Sequence, residues 1–505
     1  MLRSFISYVK LHSKVSVNIQ NVIRSQLKPE YTQDNYDVTR GNYNILQNYH
    51  IDYFKDLLGK DRVLLDENDL ERYNVDWYKQ VRGNSKIVIK PKTTEEVSKI
   101  LSFCNHNRLA VCPQGGNTGV SGASIPVFDE IIMCTELMNK ILHLDENSGV
   151  IVCQAGCILE NLNNFLNERN LLLPLDLGSK GSCHIGGNVS TNAAGLRLLR
   201  YGSLHGNVLG LEVVKADGEV LDCLNTLKKD NTGYHLHHLF IGSEGTLGFV
   251  TKVAIQCPTQ SKAISLAFLG LDSYENVIKT FKQAKLELGE ILSAIEVVDT
   301  PSMQLVNEHL KLSSPIGNHN FYLFLETKGS CEEHDQEKLN KFLELVLRKR
   351  LVRDGTVTTE PSKYKAIWSI RERLPEAFCL DGYVYNYDFT LPLQHYYTLV
   401  SELREHIGSR ASRVFGFGHL GDGNLHLQVS TTEFTKPLKN HIESFLYKRV
   451  KELNGSISAE HGMGFLKAPY LDVVNHKSAV SLMKNLKKLM DPNGILNPYK
   501  VFPYQ

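Results

Sequence analysis

His419 and His426 bracket the segment GHLGDGNLHLQV, and Glu460-His461 follow in SAEHGMG. Two neutral imidazoles and one carboxylate suit a borderline-soft cation such as Zn²⁺ and leave a coordination position open for substrate. His461, next to the ligand candidate Glu460, then remains free to move a proton. Histidines seven apart with Gly421, Asp422 and Gly423 between them cannot be a helical pair. They predict a tight turn running into a strand over 425–429, which can point both rings inward. Nineteen histidines must be placed somewhere in this chain, so the alternative is a pair of ordinary loop residues. Spacing alone does not choose between the two.

A second kind of cluster lies at least 170 residues upstream. PQGGNTG (113–119) follows a strand-like stretch and concentrates three glycines among small polar residues. GSCHIGGN (181–188), with Asn192 and Gly195, is similar, and IGSEGTLG (241–248) is a third. Backbone N–H groups in such turns can converge on an anionic oxygen, and glycine allows the close approach that a Cβ would block. Any one of these could be structural turns; three within 140 residues are hard to explain that way. Gly416, Gly418 and Gly421 also match G-x-G-x-x-G, but that dinucleotide fingerprint must open a helix. Here it enters a strand-like segment, so NAD binding is rejected.

The elements that must position these residues are legible as alternating apolar runs and turns. Strands are predicted at 87–91, 211–216, 249–256, 265–269, 294–298 and 321–327. Helices are predicted at 94–105 with Thr93 or Thr94 as N-cap, and at 159–170, 274–288, 336–351 and 479–490. Strand–helix–strand repetition after residue 260 suggests an α+β domain whose sheet carries helices on one face. The Asp491-Pro-Asn-Gly494 turn stops the last helix.

Composition narrows the class. At 505 residues the chain needs more than one core. A net charge of +1 and 42% hydrophobic residues describe a globular protein without the basic footprint of a nucleic-acid binder. No apolar run is long enough to span a bilayer. Ten scattered cysteines without a CxxC motif fit a reducing compartment, so the sequons at Asn188 and Asn454 are discounted. Arg3, Lys10, Lys14, Arg24 and Lys28 precede the first acidic residue, Glu30, with serines interspersed. That start predicts a mitochondrial transit peptide, with a basic tail that carries no address as the alternative.

PQGGNTG, the run KGSCHIGGNVSTNAAGLRLLRYGSLHGNVLGLEVVKADGEVLD (180–222) and IGSEGTLGFVT (241–251) resemble the FAD domain of the vanillyl-alcohol oxidase-like (PCMH-type) flavoproteins. GHLGDGNLHL, SAEHGMG and GILNPYK narrow the resemblance to the FAD-linked D-2-hydroxyacid dehydrogenases, over about residues 50 to 505. The SAEHG run is more similar to members acting on D-2-hydroxyglutarate than to those acting on D-lactate.

The resemblance implies an α+β chain with a transit peptide and linker at 1–40 and a two-subdomain PCMH-type FAD domain at 41–259. A substrate domain at 260–430 and a helical C-terminal part at 431–505 would follow, the latter closing the site. FAD would lie along Gly115, Gly116, Asn117, Thr118 and Gly119, along Gly186, Gly187, Asn188 and Asn192, and along Ile241, Gly242, Glu244, Gly245 and Thr246, with Asn497 returning near the flavin. His419, His426 and Glu460 match the metal ligands (Zn²⁺, or Mn²⁺ or another divalent ion). His461 matches the substrate-facing base and Arg371 a carboxylate-gripping arginine. The implied reaction takes D-2-hydroxyglutarate to 2-oxoglutarate by hydride transfer to flavin N5, with electron-transfer flavoprotein as acceptor, in the mitochondrial matrix.

Three positions depart from the family pattern: Pro375 replaces a threonine, Asn386 a carboxylate-binding lysine, and Gln428 an asparagine. Pro375 should kink or stop a helix over 364–378, because its ring opposes the carbonyl of Arg371. Asn386 removes a cation, and a hydrogen bond to a charged group contributes about 1.5–3 kcal/mol. The alternatives are therefore a pocket altered toward D-lactate or another D-2-hydroxyacid, or a flavoprotein without catalysis.

Overall fold

The computed structural model describes residues 30–503. Most of the segment expected to be a transit peptide lies outside the described residues.

Thr93 caps the first long helix as its sequence predicts, its side chain accepting a hydrogen bond from the Glu96 N–H. That helix, Thr94–His106, buries Val97, Ile100, Leu101 and Cys104. They pack on a sheet of β1 (Val63–Leu64), β2 (Val88–Ile89), β3 (Val111–Gln114) and β4 (Ile131–Cys134). Its order is β1-β2-β4-β3, and β2, β4 and β3 run parallel. An antiparallel sheet follows, of β5 (Ile141–Asp145), β6 (Val150–Gln154), β7 (Val208–Val214), β8 (Val220–Cys223) and β9 (Phe249–Gln256), ordered β5-β6-β9-β7-β8. Helices Leu159–Asn167 and Ile185–Ser190 pack in its core.

The third sheet has seven strands: β10 (Ala263–Leu271), β11 (Leu292–Asp299), β12 (Phe321–Gly329), β13 (Asp354–Thr358), β14 (Tyr383–Thr390), β15 (Arg413–His419) and β16 (Asn424–Thr431). All pairings are antiparallel, in the order β13-β10-β12-β11-β15-β16-β14. Helices cover both of its faces, not one as expected. Ala267 and Leu269 share a core with helices Tyr274–Glu287, Glu332–Arg348 and Tyr396–Ile407, while Leu266 and Phe268 share another with Thr300–Leu310 and Pro361–Glu372. A strand buried on both faces reads as one continuous apolar run, and that run carries no record of its second cover.

The chain after β16 builds no core of its own. Helix Lys436–Glu452 sends Ile442, Leu446 and Val450 into the core beneath the large sheet. Farther on, Leu496 bridges Val111 in parallel and adds to the open edge of β3. No helix of the described residues is long and apolar enough to cross a membrane. Pro375 acts as its chemistry requires: one helix ends at Glu372, Arg373 turns, and Pro375 lies in the first turn of the next helix, Leu374–Leu380.

A buried ion pair links the flavin-side segments to the large sheet. Arg197 contacts Glu326 of β12 and reaches Asp176 at 3.2 Å and Ser293 at 3.1 Å. Burial alone would raise the Glu326 carboxyl, but Arg197 and Lys328 outweigh it and hold it down to about 2. A depressed folded-state value contributes stability above the unfolded carboxylate range, which is lost as pH falls from about 4.5 toward 2. Acid unfolding followed by circular dichroism should therefore begin in that window. Glu326→Gln should flatten the acid limb while lowering stability at neutral pH.

Candidate functional site

Strand pairing places the candidate residues on one face. Residues directly opposite each other in a sheet point the same way, as do residues two apart along a strand. Glu296 lies opposite His419, Phe417 opposite His426, His426 opposite Asp388, and Gln428 opposite Asn386. Glu296, His419, His426, Asp388, Asn386 and Gln428 therefore share one surface of the central strands. The β15–β16 hairpin, turning at 420–423, brings both imidazoles to that surface as its spacing predicts. The G-x-G-x-x-G stretch is part of this hairpin and opens no helix.

Glu460 and His461 arrive from a loop with no regular structure. Asp388, fully buried, holds that loop: its Oδ2 accepts the backbone N–H groups of Glu460 at 2.9 Å and His461 at 3.0 Å. Its Oδ1 accepts from Asn424 Nδ2 at 2.7 Å. The loop is fastened on its other side by flavin-side residues. Glu244 accepts the Met463 and Gly464 N–H groups, both at 2.7 Å, and Ser121 Oγ donates to the His461 carbonyl at 2.9 Å. Gly462 and Gly464 have positive φ, and a Cβ on Gly464 would stand 2.2 Å from the Ser121 carbonyl. The glycines of SAEHGMG are thus required by this close approach.

The three expected ligands converge. Glu460 Oε1 is 3.8 Å from His419 Nε2 and 3.8 Å from His426 Nε2, with His461 Nε2 at 3.9 Å. Donors of one ion, each about 2.0–2.2 Å from it, stand roughly 3–4 Å apart, so Glu460 could share an ion with either imidazole. The donors that all lie within 4.8 Å of one another are those of Asp388, His426, Glu460 and His461, with His419 reaching the group through Glu460. Glu460 Oε2 is buried with no hydrogen-bond partner, as a carboxylate awaiting a cation would be. His419 Nδ1 lies 2.6 Å from Glu296 Oε1, the outer contact that fixes a ligating imidazole's tautomer.

The charges agree with this reading. Burial would depress His419, but Glu296 and Glu460 hold it well above the ordinary histidine value. Burial and the neighbouring His419 push His426 down to about 3. Burial opposes ionisation of Glu460, yet His419 and His426 hold it down to about 2. Nδ1–H donating to Glu296 leaves Nε2 facing Glu460 at 3.8 Å, the nitrogen through which His419 would hold a divalent ion.

The glycine clusters also meet. Gly115, Gly186, Gly187, Glu244 and Gly245 line one cleft, together with Pro113, Ser190 and Phe249. A Cβ on Gly119 or Gly187 would meet no protein atom within 4 Å, so these two face open space. Gly116 and Gly186 are also required by packing within the protein. A Cβ there would stand 1.9 Å from the Ser182 carbonyl or 2.5 Å from the Ala155 Cβ, so they let the cradle's own backbones touch. Amide oxygens of Gln114, Asn188, Asn192 and Asn497 are buried without partners around this region, as expected of a cradle that holds a polar cofactor. Asn117, Asn192, Glu244 and Asn497 all adopt positive φ, strain of the kind found at ligand sites.

Several expected contacts are turned elsewhere. Asn117 Nδ2 donates to the Arg72 and Val75 carbonyls, and the Glu244 carboxylate is committed to the 463–464 backbone. Ile241 is buried in the core of the second sheet, Thr246 Oγ1 donates to the Ser243 carbonyl, and Gly242 and Thr118 complete the turns.

Arg371, four residues before the departing Pro375, is buried in the last turn of its helix. Its Nε donates to Glu296 at 2.9 Å and its guanidinium lies 4.8 Å over the Phe417 ring. Glu296 therefore holds both Arg371 and His419. Gln428 Nε2 donates to Asn386 Oδ1 at 2.5 Å, so two of the departures pair with each other. Glu296 and Asp388 carry no local signal; only pairing across strands 35 or more residues apart brings them to the site.

Residues 85–224 match the profile of the FAD binding domain, and residues 260–501 match that of the FAD linked oxidases, C-terminal domain. The mitochondrial D-2-hydroxyglutarate dehydrogenase of Danio rerio is 56% identical over 416 residues, 82% of this chain and 78% of that protein. A putative mitochondrial D-lactate dehydrogenase of Schizosaccharomyces pombe is 44% identical over 502 residues, covering 95% of each. The crystal structure of p-cresol methylhydroxylase with substrate bound superposes with a TM-score of 0.70 at 15% identity, over 90% of this chain and 97% of that one. That likeness establishes a PCMH-type FAD fold.

Two outcomes follow from the geometry. Asp388→Asn should weaken metal retention or turnover about 10–100-fold, the usual cost of losing an outer partner, measured by metal content after dialysis. Gly116→Ala should lower stability by about 1–3 kcal/mol through overpacking, whereas Gly119→Ala should leave the urea midpoint nearly unchanged and act only on flavin affinity.

Proposed function

This chain belongs to the FAD-linked oxidases as an FAD-dependent D-2-hydroxyacid dehydrogenase, and from that premise we propose that it oxidises D-2-hydroxyglutarate to 2-oxoglutarate with a divalent metal at His419, His426 and Glu460. The observation that carries this reading is the convergence of those three side chains beside His461, on a loop pinned by Asp388 and by the flavin-side residue Glu244. The names of relatives such as the Danio rerio enzyme support the substrate.

When bound, FAD would supply the hydride acceptor and the metal would supply positive charge beside the substrate hydroxyl. The chain's own residues supply orientation and proton transfer. Arg371, fixed through Nε by Glu296, has its terminal nitrogens left to grip a carboxylate. His461 takes the hydroxyl proton. Its Nδ1 is 3.8 Å from the Asp388 carboxylate, whose charge stabilises the imidazolium formed. Asn386, with its Oδ1 occupied by Gln428, offers Nδ2 as a neutral donor to the distal carboxylate where the family pattern has a cation. Electron-transfer flavoprotein as acceptor and the matrix as location rest on the family resemblance and on the mitochondrial names of the relatives.

The Asn386 substitution, with the putative D-lactate dehydrogenase among the relatives, favours D-lactate as the second reading. Anaerobic bleaching of the flavin separates the two. The first reading expects faster reduction by D-2-hydroxyglutarate than by D-lactate, lost on chelation and restored by Zn²⁺; a clear preference for D-lactate would overturn it. His461→Ala should slow reduction about 10²–10⁴-fold while the variant still binds flavin. Near-normal reduction would remove His461 from the role of base.

A further inference from the structure

A second imidazole cluster lies on the connection between β8 and β9, apart from the sheet face described above. His235, His237 and His238 each offer a ring nitrogen, and these atoms lie within 4.8 Å of one another. They come from a single turn of 3-10 helix, Leu236–Leu239, capped by His235. A fourth histidine arrives from a different element: His205, in the turn Leu204–Asn207 just before β7, places its Nδ1 2.9 Å from His238 Nδ1. All four line an open groove. Asp230, also on that groove, accepts hydrogen bonds from Asn225 and Thr232, so the loop leading to the cluster is ordered by its own side chains.

We propose that His235, His237 and His238 form a second metal site, for a divalent transition ion such as Zn²⁺, Ni²⁺ or Cu²⁺, with His205 as its orienting partner. Three imidazoles select borderline cations over Mg²⁺ or Ca²⁺, which prefer oxygen donors. The facing nitrogens of His205 and His238 can share only one hydrogen. When His238 ligates through Nε2, its Nδ1–H donates to His205, which fixes the tautomer as a metal ligand requires. The ion would lock the turn within the long β8–β9 connection, which the His205–His238 contact ties to the turn before β7, and a coordination position would remain for water.

The clamp is independent of the catalytic metal, and the test separates the two. His235→Gln/His238→Gln, made in the full-length holoenzyme, changes two solvent-accessible side chains and leaves His419, His426 and Glu460 intact. After equilibrium dialysis against Zn²⁺, elemental analysis should show the variant holding one equivalent fewer per chain than the wild type. Flavin reduction should be unchanged, and Zn²⁺ should raise the thermal midpoint of the wild type more than that of the variant. Equal stoichiometry and equal thermal shifts would overturn the proposal. A variant-free measurement stands beside it: a wild-type crystal soaked in Zn²⁺ should give an anomalous peak between the three rings, and no peak there would overturn it equally.

Discussion

The Asp388 carboxylate is the contact on which the site depends. It is fully buried, and burial alone would favour its neutral form, yet its pKa is held far below the usual carboxylate range. The neighbouring His461, Lys467 and His426 side chains favour its ionised form, and the Glu460 and His461 N–H groups donate to it. A buried carboxylate stays ionised only where such partners converge. Its ionisation therefore fixes the backbone that carries Glu460, the proposed metal ligand, and His461, the proposed base. The one residue that links strand to loop is thus also the electrostatic counterweight to His461.

The same loop is held from the opposite side by Glu244 and Ser121, which belong to the flavin-side turns. Asn497, from the C-terminal segment, donates to the Glu244 and Ala123 carbonyls at 2.7 and 2.9 Å. Three stretches of chain more than a hundred residues apart are thereby registered within hydrogen-bond distance. A hydride donor and its acceptor must be held about 3–3.5 Å apart with a tolerance of roughly 0.5 Å, and a shared scaffold of short hydrogen bonds supplies such precision. The positive φ values at Asn192, Glu244 and Asn497 are the strain that accompanies it.

The pocket departures look less disruptive in three dimensions than in the chain. Pro375 ends the helix carrying Arg371 instead of bending it, and the arginine is still tied to Glu296. Asn386 and Gln428 face each other across β14 and β16 and satisfy each other in part. The Gln428 Oε1 atom remains buried without a partner, so the pair leaves one acceptor unsatisfied on the face of the candidate site.

Much of this was legible in the chain. Periodicity and capping placed the helix behind Thr93 and strand 249–256, and the turn between His419 and His426 predicted a hairpin with both rings on one side. Proline geometry predicted the break after Arg371. These features depend on contacts within a few residues, so residue type determines them. Tertiary structure alone decided the rest. Asp388 and Glu296 read as ordinary strand residues until register sets them opposite His426 and His419. Gly116 and Gly186 read as phosphate-loop glycines until the neighbouring backbone shows why no Cβ fits. Helices cover both faces of the large sheet because its apolar strands need burial on each side, and an unbroken apolar run cannot say what lies on which. Local chemistry selects the residues; the pairing of distant strands, a non-local free-energy balance, determines which of them meet.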